Sequence, residues 1–134
     1  VYHDPCHSPM KLQDPLKTVA GLVGAKVSKS ERCCGESGTL AVARPDISTQ
    51  VRYRKAEELR NDAEKLRGDG YAGPMKMLTS CPSCMQGLQR YQGEVEQLEV
   101  DYVVVEIAKH VLGKDWMKNY IKQASNGGIE RVLV

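Results

Sequence analysis

Five cysteines in a chain of 134 residues fall into three short clusters: Cys6, the adjacent pair Cys33 and Cys34, and Cys81 with Cys84. The spacing is C-x26-C-C-x46-C-x2-C, and each cluster lies beside Pro or Gly, as expected of loops that converge on an inorganic centre. Adjacent cysteines cannot easily bridge each other, and an odd total leaves one thiol over in any all-disulfide scheme. A single zinc needs only four ligands. Several irons can use five thiolates, because a sulfur ligand can end on one iron or bridge two. The count favours an iron-sulfur redox centre. Two other chemistries stay open: a structural zinc on four of the thiolates, and thiol-disulfide exchange through Cys81-Pro82-Ser83-Cys84.

Other side chains near these clusters carry chemistry of their own. His3 and His7 flank Cys6 as candidate ligands or proton donors, with His7 the preferred one, although a His at a strand end is more often a hydrogen-bonded loop residue. Glu36 follows the cysteine pair, either as a solvent-facing acid or as a charge that tunes a cluster potential. Thr79 and Ser83 read equally well as hydrogen-bond donors to sulfur and as turn-forming residues. His110 reads as structural, and Met75, Met77 and Met85 as core fillers.

The length suits one domain that buries roughly two thirds of its unfolded surface, so no disulfide staple is required. Lys and Arg number 19 against 17 Asp and Glu, a formal charge of +2 without the basic stripe that nucleic acid binding needs. The longest apolar stretch, around Val103 to Val105, falls far short of the ~20 residues of a membrane helix. A start at Val1 without a leader suggests a fragment of a longer chain, and reduced thiols suggest the cytoplasm.

Elements must position these groups. Residues 1–4 read as a short strand ending at Pro5. Residues 14–23 read as a helix with Asp14 as N-cap, Pro15 at its first position and Gly24 as terminator. A second strand is expected over 25–28, followed by the Cys33-Cys34-Gly35 loop. The amphipathic pattern over 46–66 puts Val51, Ala56, Leu59, Ala63 and Leu66 toward the core and a mixed-charge face in solvent. A strand over 75–79 runs into Cys81, and Cys84 should open a helix to about Tyr91. Further strands are expected over 96–100 and 129–134, and helices over 102–112 and 116–124. The alternation predicts a three-layer α/β domain with a mainly parallel sheet of four or five strands. Ligands of such sheets sit beyond the carboxyl ends of the strands, where all three cysteine loops fall.

His3-Asp4-Pro5-Cys6-His7, Cys33-Cys34-Gly35 and Cys81-Pro82-Ser83-Cys84 together resemble the cysteine-rich CCG domain. That family includes the cysteine-rich subunit of heterodisulfide reductase and the iron-sulfur subunits of glycolate oxidase, anaerobic glycerol-3-phosphate dehydrogenase and the lactate-utilisation complex. The resemblance runs from Val1 to about Leu112. Cys33-Cys34-Gly35-Glu36-Ser37-Gly38 and the ending Gly128-Ile129-Glu130-Arg131 are most similar to the C-terminal region of large bacterial proteins that fuse a flavin-linked oxidase to an iron-sulfur segment. The resemblance implies that Cys6, Cys33, Cys34, Cys81 and Cys84 ligate a [4Fe-4S] cluster, in some members a noncubane one, and that zinc can occupy apo preparations. It implies an electron-transfer role for residues 1–134 as a single domain, with no catalytic residue of its own and inactive when isolated. The electrons come from FAD in another domain or subunit that oxidises a 2-hydroxy acid such as lactate or glycolate. A second CCG region and a cytoplasmic site, at the inner membrane face through partners, are also implied. The chain departs from the family in its gaps, the first shorter and the second longer than usual, and in carrying Glu36 and Ser37 where many members have small residues.

Overall fold

The computed structural model describes residues 1–36 and 39–127. Among these, three strands form one wholly parallel sheet in the order β1 (Tyr2–His3), β2 (Met75–Thr79), β3 (Leu98–Tyr102). Six helices connect and follow them: α1 (Pro15–Val23), α2 (Leu40–Ala43), α3 (Pro45–Gly68), α4 (Pro82–Gln89), α5 (Val103–Leu112) and α6 (Trp116–Ser125).

Side chains alternate across a strand, so a parallel sheet covered on both sides needs two apolar faces. On one face Tyr2 and Leu78 pack with Val19 of α1 and Val103 of α5. On the other, Met75, Met77, Leu98 and Val100 pack with Ala56 and Leu59 of α3 and Leu88 of α4. Each such side chain, fully buried, contributes about 1.5–3 kcal/mol. The result is the three-layer α/β arrangement expected, and Met75 and Met77 are core residues.

The sheet is narrower than the four or five strands expected. Residues 25–28 form no strand. Their neighbour β1 is two residues long, so the segment gains only a single parallel bridge, Lys29 to Tyr2, with the Tyr2 amide donating to Ser28 O at 2.8 Å and the Ser30 amide donating to Tyr2 O at 2.8 Å. The strand expected over 129–134 lies outside the described residues. The third strand starts at Leu98 and not at Glu96, because Gln97 takes a left-handed φ of 54° that delays the extended run. Helix α4 opens at Pro82 with Cys81 as its N-cap, earlier than the expected opening at Cys84, since the φ of proline suits the first helical position. The signals around α1 act as read: Asp14 accepts from the Leu16 and Lys17 amides at 2.9 and 3.1 Å, and Gly24 ends the helix at φ 64°.

Candidate metal centre

Strands β1 and β2 end at the same rim. His3 and Thr79 are register partners, so both side chains fall on the face opposite Tyr2 and Leu78, the one covered by α3 and α4. Past β1 the chain turns at Cys6, which is exposed, and past β2 it enters α4 through Cys81. Cys84 stands in the first turn of α4, buried. Cys34 arrives from the loop ahead of α2, also buried.

All five thiols are free. Cys34 Sγ and Cys84 Sγ lie 3.4 Å apart. That is far beyond a disulfide, ~2.05 Å, and close to the roughly 3.5–4 Å between two sulfurs on one tetrahedral metal. His3 joins them, and the ligand atoms of His3, Cys34 and Cys84 all lie within 4.8 Å of one another. The two sulfurs share one hydrogen bond, which eases ionisation of one thiol and opposes that of the other. That hydrogen bond, against the opposing effect of burial and with help from His3 and the Glu36 amide, lowers the Cys34 pKa to about 4. Cys84 is pushed up by the same hydrogen bond, by burial, and by the charges of Cys34 and Cys81. Cys33 is raised by burial, opposed by the Gly35 amide, and raised further by the charges of Cys34 and Cys6. Cys34 and Cys81 thus act directly on Cys84, while Cys6 bears only on Cys33.

Two groups on this face are buried without a hydrogen-bond partner, His3 Nδ1 and Thr79 Oγ1. Unpaired buried polar atoms cost ~1–3 kcal/mol each and collect where an ion or cofactor belongs. With a thiolate-rich donor set of soft sulfur ligands, the residues fit an iron-sulfur or zinc centre.

The Cys33-Cys34 loop is fastened on both sides. Before it, Lys55 of α3, fully buried, donates to Ser30 Oγ, to Arg32 O at 2.9 Å and to Glu58 Oε2 at 2.6 Å. The Glu58 carboxylate also accepts from the Glu31 and Arg32 amides at 2.7 and 3.2 Å. Within it, Gly35 takes φ 80°, which brings its amide to Cys33 Sγ at 3.3 Å. After it, Glu36 pairs with Arg90, and the loop rests on α4 at Gly87, where a Cβ would press on Glu36 and come 3.1 Å from Cys34 O.

Several placements differ from the sequence expectation. His7 is exposed, and it is His3 that reaches the thiols. Strand alternation was the signal: Tyr2 faces one core, so His3 must face the other. Ser83 is exposed while Thr79 is buried beside His3. Glu36 is mostly buried and ion-paired with Arg90, not a solvent-facing acid. Lys55 and Glu58 leave the solvated charge face. Position 55 shares a helical stripe with Ser48 and Leu59, both buried, and that period marked it. His110 is exposed and lines a cavity of about 750 Å³ with Lys76, Glu106 and Lys109, to which no cysteine contributes.

A parallel sheet that gathers Cys34, Cys84 and His3 at one rim, with Cys81 at the N-cap of α4 and Cys6 and Cys33 exposed, defines a cysteine-rich α/β domain. The family model described as "Cysteine-rich domain" (CCG) matches residues 1–89, and the chain belongs to that family. A second model, described as "Domain of unknown function (DUF3400)", matches residues 89–134. The junction is not a break in the core, since β3 lies beyond it and pairs with β2 along its whole length. Over 92 residues the chain is 32% identical to a subunit of "Fumarate reductase (CoM/CoB)" from Methanothermobacter marburgensis, covering 62% of this chain and 16% of that protein. No solved structure matches. Family membership and likeness to a reductase component support an iron-sulfur, electron-transfer role associated with an oxidoreductase. Among the described residues, no helix is long and apolar enough to cross a membrane.

Proposed function

We propose that residues 1–134 form one electron-transfer domain of a larger flavin-linked oxidoreductase, in which Cys6, Cys33, Cys34, Cys81 and Cys84 hold a [4Fe-4S] cluster. The observation that carries this reading is the 3.4 Å approach of Cys34 and Cys84, brought from separate motifs of the sequence pattern, with Cys81 acting on Cys84 from the start of the same helix. When bound, such a cluster takes up and passes on single electrons. The protein supplies the rest. The Cys34–Cys84 hydrogen bond lowers the cost of ionising one of the two thiols, and ligation of both sulfurs releases the shared proton. Cys84 stands in the first turn of α4, which begins at Pro82 after the Cys81 N-cap, so one helix start carries both cysteines of that motif. Burial of Cys34, Cys84 and His3 keeps water from the inner side.

The electron source we infer is FAD in another domain, reduced by a 2-hydroxy acid such as lactate or glycolate. The Cys33-to-Gly38 run, similar to that of flavin-linked oxidase fusions, supports it. A second CCG region, a cytoplasmic site and inactivity of the isolated domain belong to the same reading. A second reading follows from the relative named a fumarate reductase, in which the cluster would carry electrons toward fumarate. The thiol-disulfide alternative through Cys81 and Cys84 is disfavoured, because it leaves Cys34, 3.4 Å from Cys84, and the buried His3 beside them without a task. A zinc staple fits the inner donor set but leaves part of the five-cysteine set without a task.

Full-length protein reconstituted anaerobically with iron and sulfide tests the substrate. Addition of lactate or glycolate should reduce the cluster within the dead time of hand mixing, seen as bleaching and a reduced-cluster EPR signal. An iron-loaded protein that ignores both acids and is instead reoxidised by fumarate would replace the first reading with the second.

A further inference from the structure

The thiols account for the sulfur of the site, yet its inner wall includes an imidazole. β1 is fixed to β2 with His3 opposite Thr79, and alternation directs His3 into the face where Cys34 and Cys84 meet. The ring is 4% exposed, Nδ1 has no hydrogen-bond partner, and a ring nitrogen lies within 4.8 Å of both sulfurs. A purely packing role is poorly served by this residue. An aliphatic side chain would fill the position without leaving a buried ring nitrogen unpaired, a cost of about 1–3 kcal/mol. Nor does the loop need His3 for its shape, since its anchors are Lys55, Glu58, Gly35 and the Glu36–Arg90 pair.

The five cysteines divide unequally around it. Cys34 and Cys84 are buried beside His3, while Cys6 and Cys33 are exposed and Cys81 is half-buried at the N-cap of α4. Cys6 and His3 sit on the same short loop and strand end, Cys6 toward solvent and His3 toward the core. Neutral imidazole is a good iron ligand. Where it replaces thiolate on a cluster iron, the potential rises, because a neutral donor stabilises the reduced state more than an anionic one does.

We propose that His3 is a ligand of the centre, its ring nitrogen joining Cys34 and Cys84 in the donor set that would hold it. This rests on the iron-sulfur reading above. No redox step is needed: a neutral imidazole lone pair forms the bond, and the ring N–H on the other nitrogen is retained. The site is then mixed nitrogen and sulfur, with a higher potential than an all-thiolate site on the same scaffold.

Pulsed EPR on the iron-loaded full-length protein tests it, comparing ordinary protein with protein labelled with 15N in histidine alone. A histidine nitrogen coupling several-fold stronger than that of backbone amides, changed in pattern by the label and lost in His3→Gln with iron retained, is the expected result. His7→Gln should leave it untouched. If His3→Gln loses iron, His3→Cys should restore iron without the nitrogen signal and with a lower potential. Iron-loaded protein without a histidine coupling, a coupling that survives His3→Gln, or a His3→Cys variant that stays iron-free overturns the assignment and leaves the five-cysteine cluster standing. Protein that takes up no iron at all overturns both.

Discussion

The rim around Cys34 and the helical pair at the end of the described chain are built on opposite principles. At the rim the buried set contains two thiols, an imidazole, a threonine hydroxyl and a lysine ammonium. Helix α6 buries no residue and leaves Met117, Tyr120 and Ile121 about half exposed, and α5 buries only Val103. Buried polar groups lower stability unless each finds a partner. The first region holds several, Lys55 tied into a network and His3 Nδ1 and Thr79 Oγ1 left without a partner, whereas the second buries a single side chain, the apolar Val103. Stability alone would not select unpaired buried polar groups, so the rim marks where the molecule is constrained by chemistry.

Breaking the contrast should be easiest at the sulfurs. Cys34→Ser or Cys84→Ser is expected to abolish cluster loading, read as iron per chain after anaerobic reconstitution, while α-helical circular dichroism is kept. Next comes the buried ammonium. Lys55→Ala removes the partner of Glu58 and the anchor of the Ser30-to-Arg32 segment, and should lower stability by about 3 kcal/mol in urea denaturation. Gly87→Ala adds a methyl against Glu36 and the Cys34 carbonyl, with an expected loss of about 1–3 kcal/mol and a fall in iron retention that exceeds the effect of Gly93→Ala, where the space is open.

Acid sharpens the comparison further. Burial works to raise the Glu58 pKa, but the Lys55 hydrogen bond and charge and the Glu31 and Arg32 amides outweigh it and hold it below its ordinary 4.5. A depressed folded value means the contribution is fully present above pH 4.5 and lost as the pH falls through the folded pKa. The urea midpoint of the apo-protein should therefore drop more steeply below that pH than that of Glu58→Gln. The smallest effect belongs to the other region: Ile121→Ser on α6 should change stability by no more than about 0.5 kcal/mol.

What the sequence made legible follows the same division. The limits of α1 were readable because Asp14, Pro15 and Gly24 act locally, and β2 because its apolar run ends in an unmistakable loop. The cysteines stood out through their count and spacing, and the structure brings two of them, Cys34 and Cys84, together with His3. Less local effects were hidden. Whether 25–28 becomes a strand depends on the length of its neighbour, which residues 25–28 do not encode. Lys55 looked like solvent-facing charge because its residue type outweighed its helical position, and Glu36 because its partner Arg90 lies on another element. His3 was passed over for His7, since both flank Cys6 and only the strand's pairing with β2 separates their directions.

The central claim is that thiols from three distant loops share one iron-sulfur centre at the rim. Metal and sulfide analysis combined with EPR on full-length protein purified under strict anoxia tests it most directly. The account predicts about four irons with matching sulfide for this domain, and loss of both in Cys34→Ser. Stoichiometric zinc without iron, or metal-free thiols that all react with an alkylating agent, would contradict it.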